Sequence, residues 1–172
     1  MKQTRRGGAY FRVADPSWTN PLDGSYSAER GGRWNPPGSF PVVYLNATVE
    51  IARANVARRF RGMPFGPEDL DPVEAPVLMT AAVPDSLYVD AVTIEGLAEL
   101  GLPSTYPVDE DGGVVPHERC RPIGVRAWDS RERGIASRTA VASEIDGEEL
   151  AWFQRGHALE AKAAAGFDDW FW

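Results

Sequence analysis

A chain of 172 residues with 43% apolar and 25% charged residues has enough material for one packed core and too much apolar content for disorder. Its formal charge of −7 sets the whole chain against a polyanion, so no direct nucleic-acid binding is expected, whereas a small anionic ligand needs only a few local arginines. One cysteine, Cys120, excludes an internal disulfide, and His117 and His157 stand 40 positions apart, so no metal site is expected.

The basic N-terminus, MKQTRRGGAYFRV, has no apolar stretch behind it, and no apolar run approaches the ~20 residues of a membrane span. No secretory signal and no membrane segment are read, and a cytoplasmic location is expected. Residues 8–13 read as a short strand. Residues 14–41 hold five prolines and four glycines and exclude a long helix. Trp18, Tyr26, Trp34 and Phe40 predict that this loop is packed down. Residues 42–46, VVYLN, read as a buried strand. A helix then starts at the N-cap Thr48, with Ile51, Ala52, Asn55, Val56 and Phe60 on one side and Gly62 and Pro64 ending it.

Residues 76–83 read as a strand and 93–100 as a short capped helix. The tip Asp109-Glu110-Asp111-Gly112-Gly113 reads as a solvated turn rather than a metal site. Pro122 is expected to open a helix through Ile123, Ala127 and Trp128. Residues 135–142 read as a strand that points Ser137 and Thr139 to one face. Residues 147–165 read as helical, with a break near Gly156. The closing FDDWFW is expected to dock on the body of the protein or on a partner. The fold class is α+β, in a single domain of residues 1–172, with a core of about 9–153 and a C-terminal helix and aromatic tail over 154–172.

The most informative stretch is Gly31-Gly32-Arg33-Trp34-Asn35-Pro36-Pro37-Gly38 before Val42-Val43-Tyr44-Leu45. Paired glycines let a backbone approach a ligand, arginine offers five donors to a phosphate, and an aromatic ring stacks on a planar group. The same residues also read as a surface turn with a solvated arginine and a core tryptophan. Asn55, on the buried side of its helix, needs a polar partner, from a ligand or from helix packing. A Cys120–His117 pair is a weak nucleophile candidate, because nothing in its turn-rich surroundings fixes it.

GGRWNPPG followed by VVYLN, with Phe11-Arg12-Val13 upstream, resembles the RES domain family. The resemblance implies a fold similar to ADP-ribosyltransferase toxins, with two small packed β-sheets surrounded by helices. It also implies a toxin that consumes NAD by phosphorolysis or hydrolysis of the nicotinamide–ribose bond. NAD is then the substrate, and no cofactor is required. The implied partner is a small Xre-like helix-turn-helix antitoxin that covers the active site and does the DNA binding, and homodimerisation is implied as well. The alternatives are an impaired RES-like module that holds a nucleotide or protein, and a transferase that moves ADP-ribose onto a macromolecule.

Carried over by motif, the resemblance places family arginines on Arg12 and Arg33, the tyrosine on Tyr44, the glutamate on Asn55 and the serine on Thr139, with Ser137 on the same strand face. Arg12 and Arg33 would hold the pyrophosphate. Trp34 or Tyr44 would pack near the nicotinamide or ribose, Asn55 and Thr139 would bond the ribose or the amide, and Asn35 and Ser137 would belong to the same NAD-binding set. Threonine for serine keeps a hydroxyl. Asparagine for glutamate removes the charge that would stabilise an oxocarbenium-like state. Glu50, on the same helix, is rotated from that position by about 140°.

Overall fold

Two long strands organise the computed structural model, which describes residues 1–141 and 147–172. They are β1 (Gln3–Ala14) and β3 (Val77–Ala91), and they pair antiparallel from Gln3↔Val89 to Ala14↔Val77. A register shift between Arg6 and Gly8 bulges β1, which lets β3 run on through Pro84. The strands expected over 8–13 and 76–83 are the middles of these longer elements.

On the other edge of β3 lies β6 (Glu160–Ala165). A second group has β5 (Glu148–Phe153) at its centre, between β2 (Val42–Asn46) and β4 (Gly134–Arg138), all antiparallel. The two small sheets are therefore present, but they are not separate. The pair Phe11↔Asn46 joins β1 to β2, and β3 runs parallel to β4 from Val89↔Ile135 to Ala91↔Ser137. Hydrogen bonding thus passes through one six-stranded sheet that closes on itself. The physical reason is length: β1 and β3 reach beyond their own sheet and share their ends with its neighbour.

The helix α2 (Val49–Arg59) begins as expected, with the Thr48 hydroxyl accepting the Ile51 N–H at 3.3 Å. It buries Ile51, Ala52 and Val56. The short α3 (Ile94–Leu100) is capped in the same way by Thr93. The 14–41 loop contains one short helix, α1 (Ser25–Arg30), and buries Trp34 and Phe40, while Tyr26 stays 59% exposed.

Three expectations fail. The helix α4 (His117–Asp129) does not open at Pro122 but five residues earlier, and it carries Pro122 inside it. Pro122 deprives the Glu118 carbonyl of its donor, but both residues lie on the solvent side, where the loss is small. Residues 147–165 are not helical but form β5 and β6. Leu150, Ala151, Trp152 and Phe153 are all buried, which suits a strand covered on both faces. In β6, the helix propensity of EAKAAA loses to pairing with β3. The strand expected over 135–142 ends at Arg138, and its last residue lies outside the described residues.

The aromatic tail docks on the body. Its helix α5 (Phe167–Trp170) buries Phe167 and Trp170 against Ala52, Val56 and Leu78. The Trp170 indole donates to the Pro76 carbonyl at 3.2 Å, and the Arg53 Nε donates to the Trp170 carbonyl at 2.8 Å. No helix among the described residues is long and apolar enough to cross a membrane.

Candidate active site

The GGRWN loop is held by its own polar residues. Asn35 is fully buried, and its amide donates to the carbonyls of Ser27 at 2.6 Å and Phe40 at 3.0 Å. Its Oδ1 accepts the Tyr44 hydroxyl at 2.7 Å, and that hydroxyl accepts the Trp34 N–H at 2.9 Å. Gly32 lies flat on the Tyr44 ring, where a Cβ would overlap the phenol. Burial pushes the Tyr44 phenol far above its usual value, so it stays neutral and keeps donating. Trp34 turns inward against Tyr106, with ring centroids 6.1 Å apart, in the same core cluster as Cys120 and Ile123. Tyr44→Phe leaves the Trp34 N–H and Asn35 Oδ1 without this partner. A loss of about 1–3 kcal/mol is expected in urea unfolding, and an unchanged midpoint would contradict the brace.

With the loop fixed, Arg33 is aimed. Its Nη1 donates to the Val115 carbonyl at 2.9 Å, just before α4. Arg12, on β1, donates from Nη1 to the Asp23 carbonyl at 2.9 Å and lies 5.2 Å from the Trp18 ring centroid. Both arginines line one cavity of about 320 Å³ beside the Phe11↔Asn46 pair that joins the sheets. Arg58 and Arg59 of α2 also line it, and so does His117 at the start of α4. Burial and the positive charges of Arg33, Arg121 and Arg58 lower the His117 pKa and keep the imidazole neutral. Cys120 is fully buried, and burial raises its thiol pKa, so it is no exposed nucleophile.

Asn55, at the cavity wall, donates from Nδ2 to two acceptors at 2.9 Å each, Asn46 Oδ1 and Glu149 Oε1. Thr139 donates its hydroxyl to the same Glu149 oxygen at 2.8 Å. Glu149 itself lines the cavity. On β5 it stands directly between Asn46 of β2 and Ser137 of β4, so three strands put polar side chains on one face. Ser137 is buried beneath this face. Glu50 is exposed and does not line the cavity.

The structure thus brings Arg12, Arg33, Tyr44 and Asn55 to one cavity, with Thr139 reaching it through Glu149. It does not bring Trp34, Asn35 or Ser137 there: all three are buried behind its wall. Sequence reading missed Glu149, because a helical reading of 147–165 leaves no reason to face it toward Asn46. It also singled out neither Arg58 nor Arg59, both of which line the cavity. A larger, shallower hollow of about 570 Å³ lies on the outer side of α4, between Pro36, Pro122 and Val125. Its Glu118, Arg121, Arg126 and Asp129 balance in sign, and it has no group matching the four arginines of the smaller cavity.

Four arginines against one carboxylate, around a cavity set in a mixed α/β fold, give that cavity an excess of positive charge of the kind that attracts a small polyanion. The family model of the RES domain matches residues 9–170, and the chain belongs to that family. The NAD(+) phosphorylases MbcT of Mycobacterium bovis and Mycobacterium tuberculosis are 28% identical to it over 115 residues, 66% of this chain and 58% of theirs. The matched part thus spans less than two thirds of those relatives. A crystal structure of the M. tuberculosis MbcT–MbcA toxin–antitoxin complex matches with a TM-score of 0.76 and 21% identity, over 98% of this chain and 91% of that one. That likeness is one of fold.

Proposed function

We propose that this protein cleaves the nicotinamide–ribose bond of NAD, with inorganic phosphate or water as the acceptor, and that it is the toxin of a toxin–antitoxin pair. The observation that carries the reading is that Arg12 and Arg33, drawn from elements far apart in sequence, share one cavity in a RES-domain chain. The names of the similar proteins point the same way: NAD(+) phosphorylase for the curated relatives, toxin–antitoxin complex for the solved structure.

In this reading the two guanidinium groups grip the pyrophosphate by charge-assisted hydrogen bonds. Arg58 and Arg59 extend the positive field, which concentrates an anionic acceptor at the mouth. The C–N bond breaks, its electron pair leaves with neutral nicotinamide, and an acceptor oxygen bonds the anomeric carbon through an oxocarbenium-like state. The partner is a helix-turn-helix antitoxin seated over the cavity, and the reaction takes place in the cytoplasm.

The test is purified protein incubated with NAD, with and without inorganic phosphate. Phosphate-dependent loss of NAD, with release of nicotinamide and ADP-ribose 1-phosphate, is the expected result. Loss of NAD to free ADP-ribose alone assigns water as the acceptor. Tight nucleotide binding without turnover overturns the enzymatic reading, and label appearing on a protein or nucleic acid replaces it with ADP-ribosyl transfer.

A further inference from the structure

Resting on that reading, we propose that Glu149 is a catalytic residue, and that it supplies from β5 the carboxylate which α2 lacks at Asn55. The two positions are one hydrogen bond apart: Asn55 Nδ2 donates to Glu149 Oε1 at 2.9 Å. The Asn55 amide thereby holds the Glu149 carboxylate in place.

Three observations carry this assignment. Glu149 lines the cavity with Arg12 and Arg33, whereas the other candidate, Glu50, is exposed elsewhere. Its two partners are neutral and both meet Oε1: the Asn55 amide and, at 2.8 Å, the Thr139 hydroxyl. Among the described residues no donor reaches Oε2, and no cation lies within ion-pair distance of the carboxylate. Its neighbour Glu148 shows what a structural carboxylate of this strand looks like. Both oxygens of Glu148 are taken by Arg6, at 2.6 and 2.9 Å. Glu149 is fixed in orientation, but its charge is not quenched by a salt bridge, which is the state needed to meet a developing positive charge.

As the anomeric C–N bond lengthens, its electron pair moves onto the pyridinium nitrogen, which becomes neutral, and positive charge grows on the ribose. Glu149 Oε2 accepts a hydrogen bond from a ribose hydroxyl and stabilises that charge without taking a proton. The phosphate oxygen bonds the anomeric carbon, and the proton of the phosphate is lost to solvent.

The experiment compares the parent, E149Q and N55E/E149Q by NAD turnover, NAD affinity and thermal melting. E149Q keeps the size and one acceptor of the side chain but not its charge. Its kcat is expected to fall about 100-fold or more, with KM within about threefold of the parent. N55E/E149Q returns a carboxylate to the helix without placing two carboxylates side by side, and it is expected to regain at least about tenfold over E149Q. An E149Q kcat within about threefold of the parent overturns the proposal. So does a loss of activity matched by an equal loss of melting temperature and affinity, which would make Glu149 a structural brace. Where E149Q melts too early to assay alone, the double variant decides: recovery supports the carboxylate role, and no recovery ends it. A parent that leaves NAD intact removes the functional reading and this inference together. A parent that consumes NAD beside an equally fast E149Q removes this inference alone.

Discussion

Gly124→Ala is expected to lower the melting temperature by about 6–12 °C, the equivalent of about 3 kcal/mol in a chain of this length. Gly124 lies at the closest approach of α4 to the GGRWN loop. A Cβ there would overlap the Trp34 carbonyl oxygen and come within 2.6 Å of its carbon. Neither side can yield cheaply. The Trp34 N–H is bonded to Tyr44, and its ring packs against Tyr106. The helix is tied to the same loop by Arg121, whose Nε donates to the Gly32 carbonyl at 3.2 Å. A methyl group at 124 therefore moves either the helix or the loop that aims Arg33, and NAD turnover should fall together with stability. Gly113→Ala is the control. Its nearest contact is the end of the exposed Asp111 side chain at 3.1 Å, and a change below about 1 kcal/mol is expected. Equal melting of the two variants would contradict the contact.

The same loop shows where sequence reading succeeds and where it stops. Local chemistry was legible wherever local rules decide the outcome. Thr48 caps α2, Thr93 caps α3, and VVYLN is a strand with the bounds expected of it. The motif that carries the family resemblance marked Arg33 and Tyr44, and the structure places both at one cavity with Arg12. What was not legible depends on contacts between distant segments. EAKAAA prefers a helix in isolation and becomes a strand only because the far edge of β3 is open to it. Glu149 acquires its meaning from that same misreading: on a helix it is one more surface acid, and on β5 it faces Asn46 across one ladder and Ser137 across the other. Trp34 illustrates the opposite error. An aromatic beside the loop arginine invites a stacking role, yet the turn that brings Arg33 to the cavity buries its neighbour in the core.

Arg12→Met is expected to abolish measurable NAD binding, a loss of about 100-fold or more, while raising the melting temperature of the ligand-free protein by a few degrees. Arg12 is 7% exposed, and among the described residues it has a single hydrogen bond, to the Asp23 carbonyl, and no carboxylate within ion-pair distance. Burial lowers its pKa to about 10, against the pull of Asp23. It is thus a cation at neutral pH that the fold holds at a cost, and an anion in the cavity relieves that cost. Methionine keeps most of the stem and its packing on Trp18 but removes the charge. The folded value lies below the ordinary arginine value, so the unfolded chain holds this proton more tightly. The penalty on folding is complete below about pH 10 and fades above it, whereas anion binding needs the proton and weakens as pH rises through about 10. Calorimetric titration of NAD into the parent should therefore show affinity falling between pH 8 and pH 10.5, a change that Arg12→Met cannot show because it has no such affinity to lose. Binding by the methionine variant at parental strength would mean that Arg33, Arg58 and Arg59 hold the ligand without Arg12. A variant that melts below the parent would mean that the Asp23 bond and the Trp18 contact outweigh the buried charge.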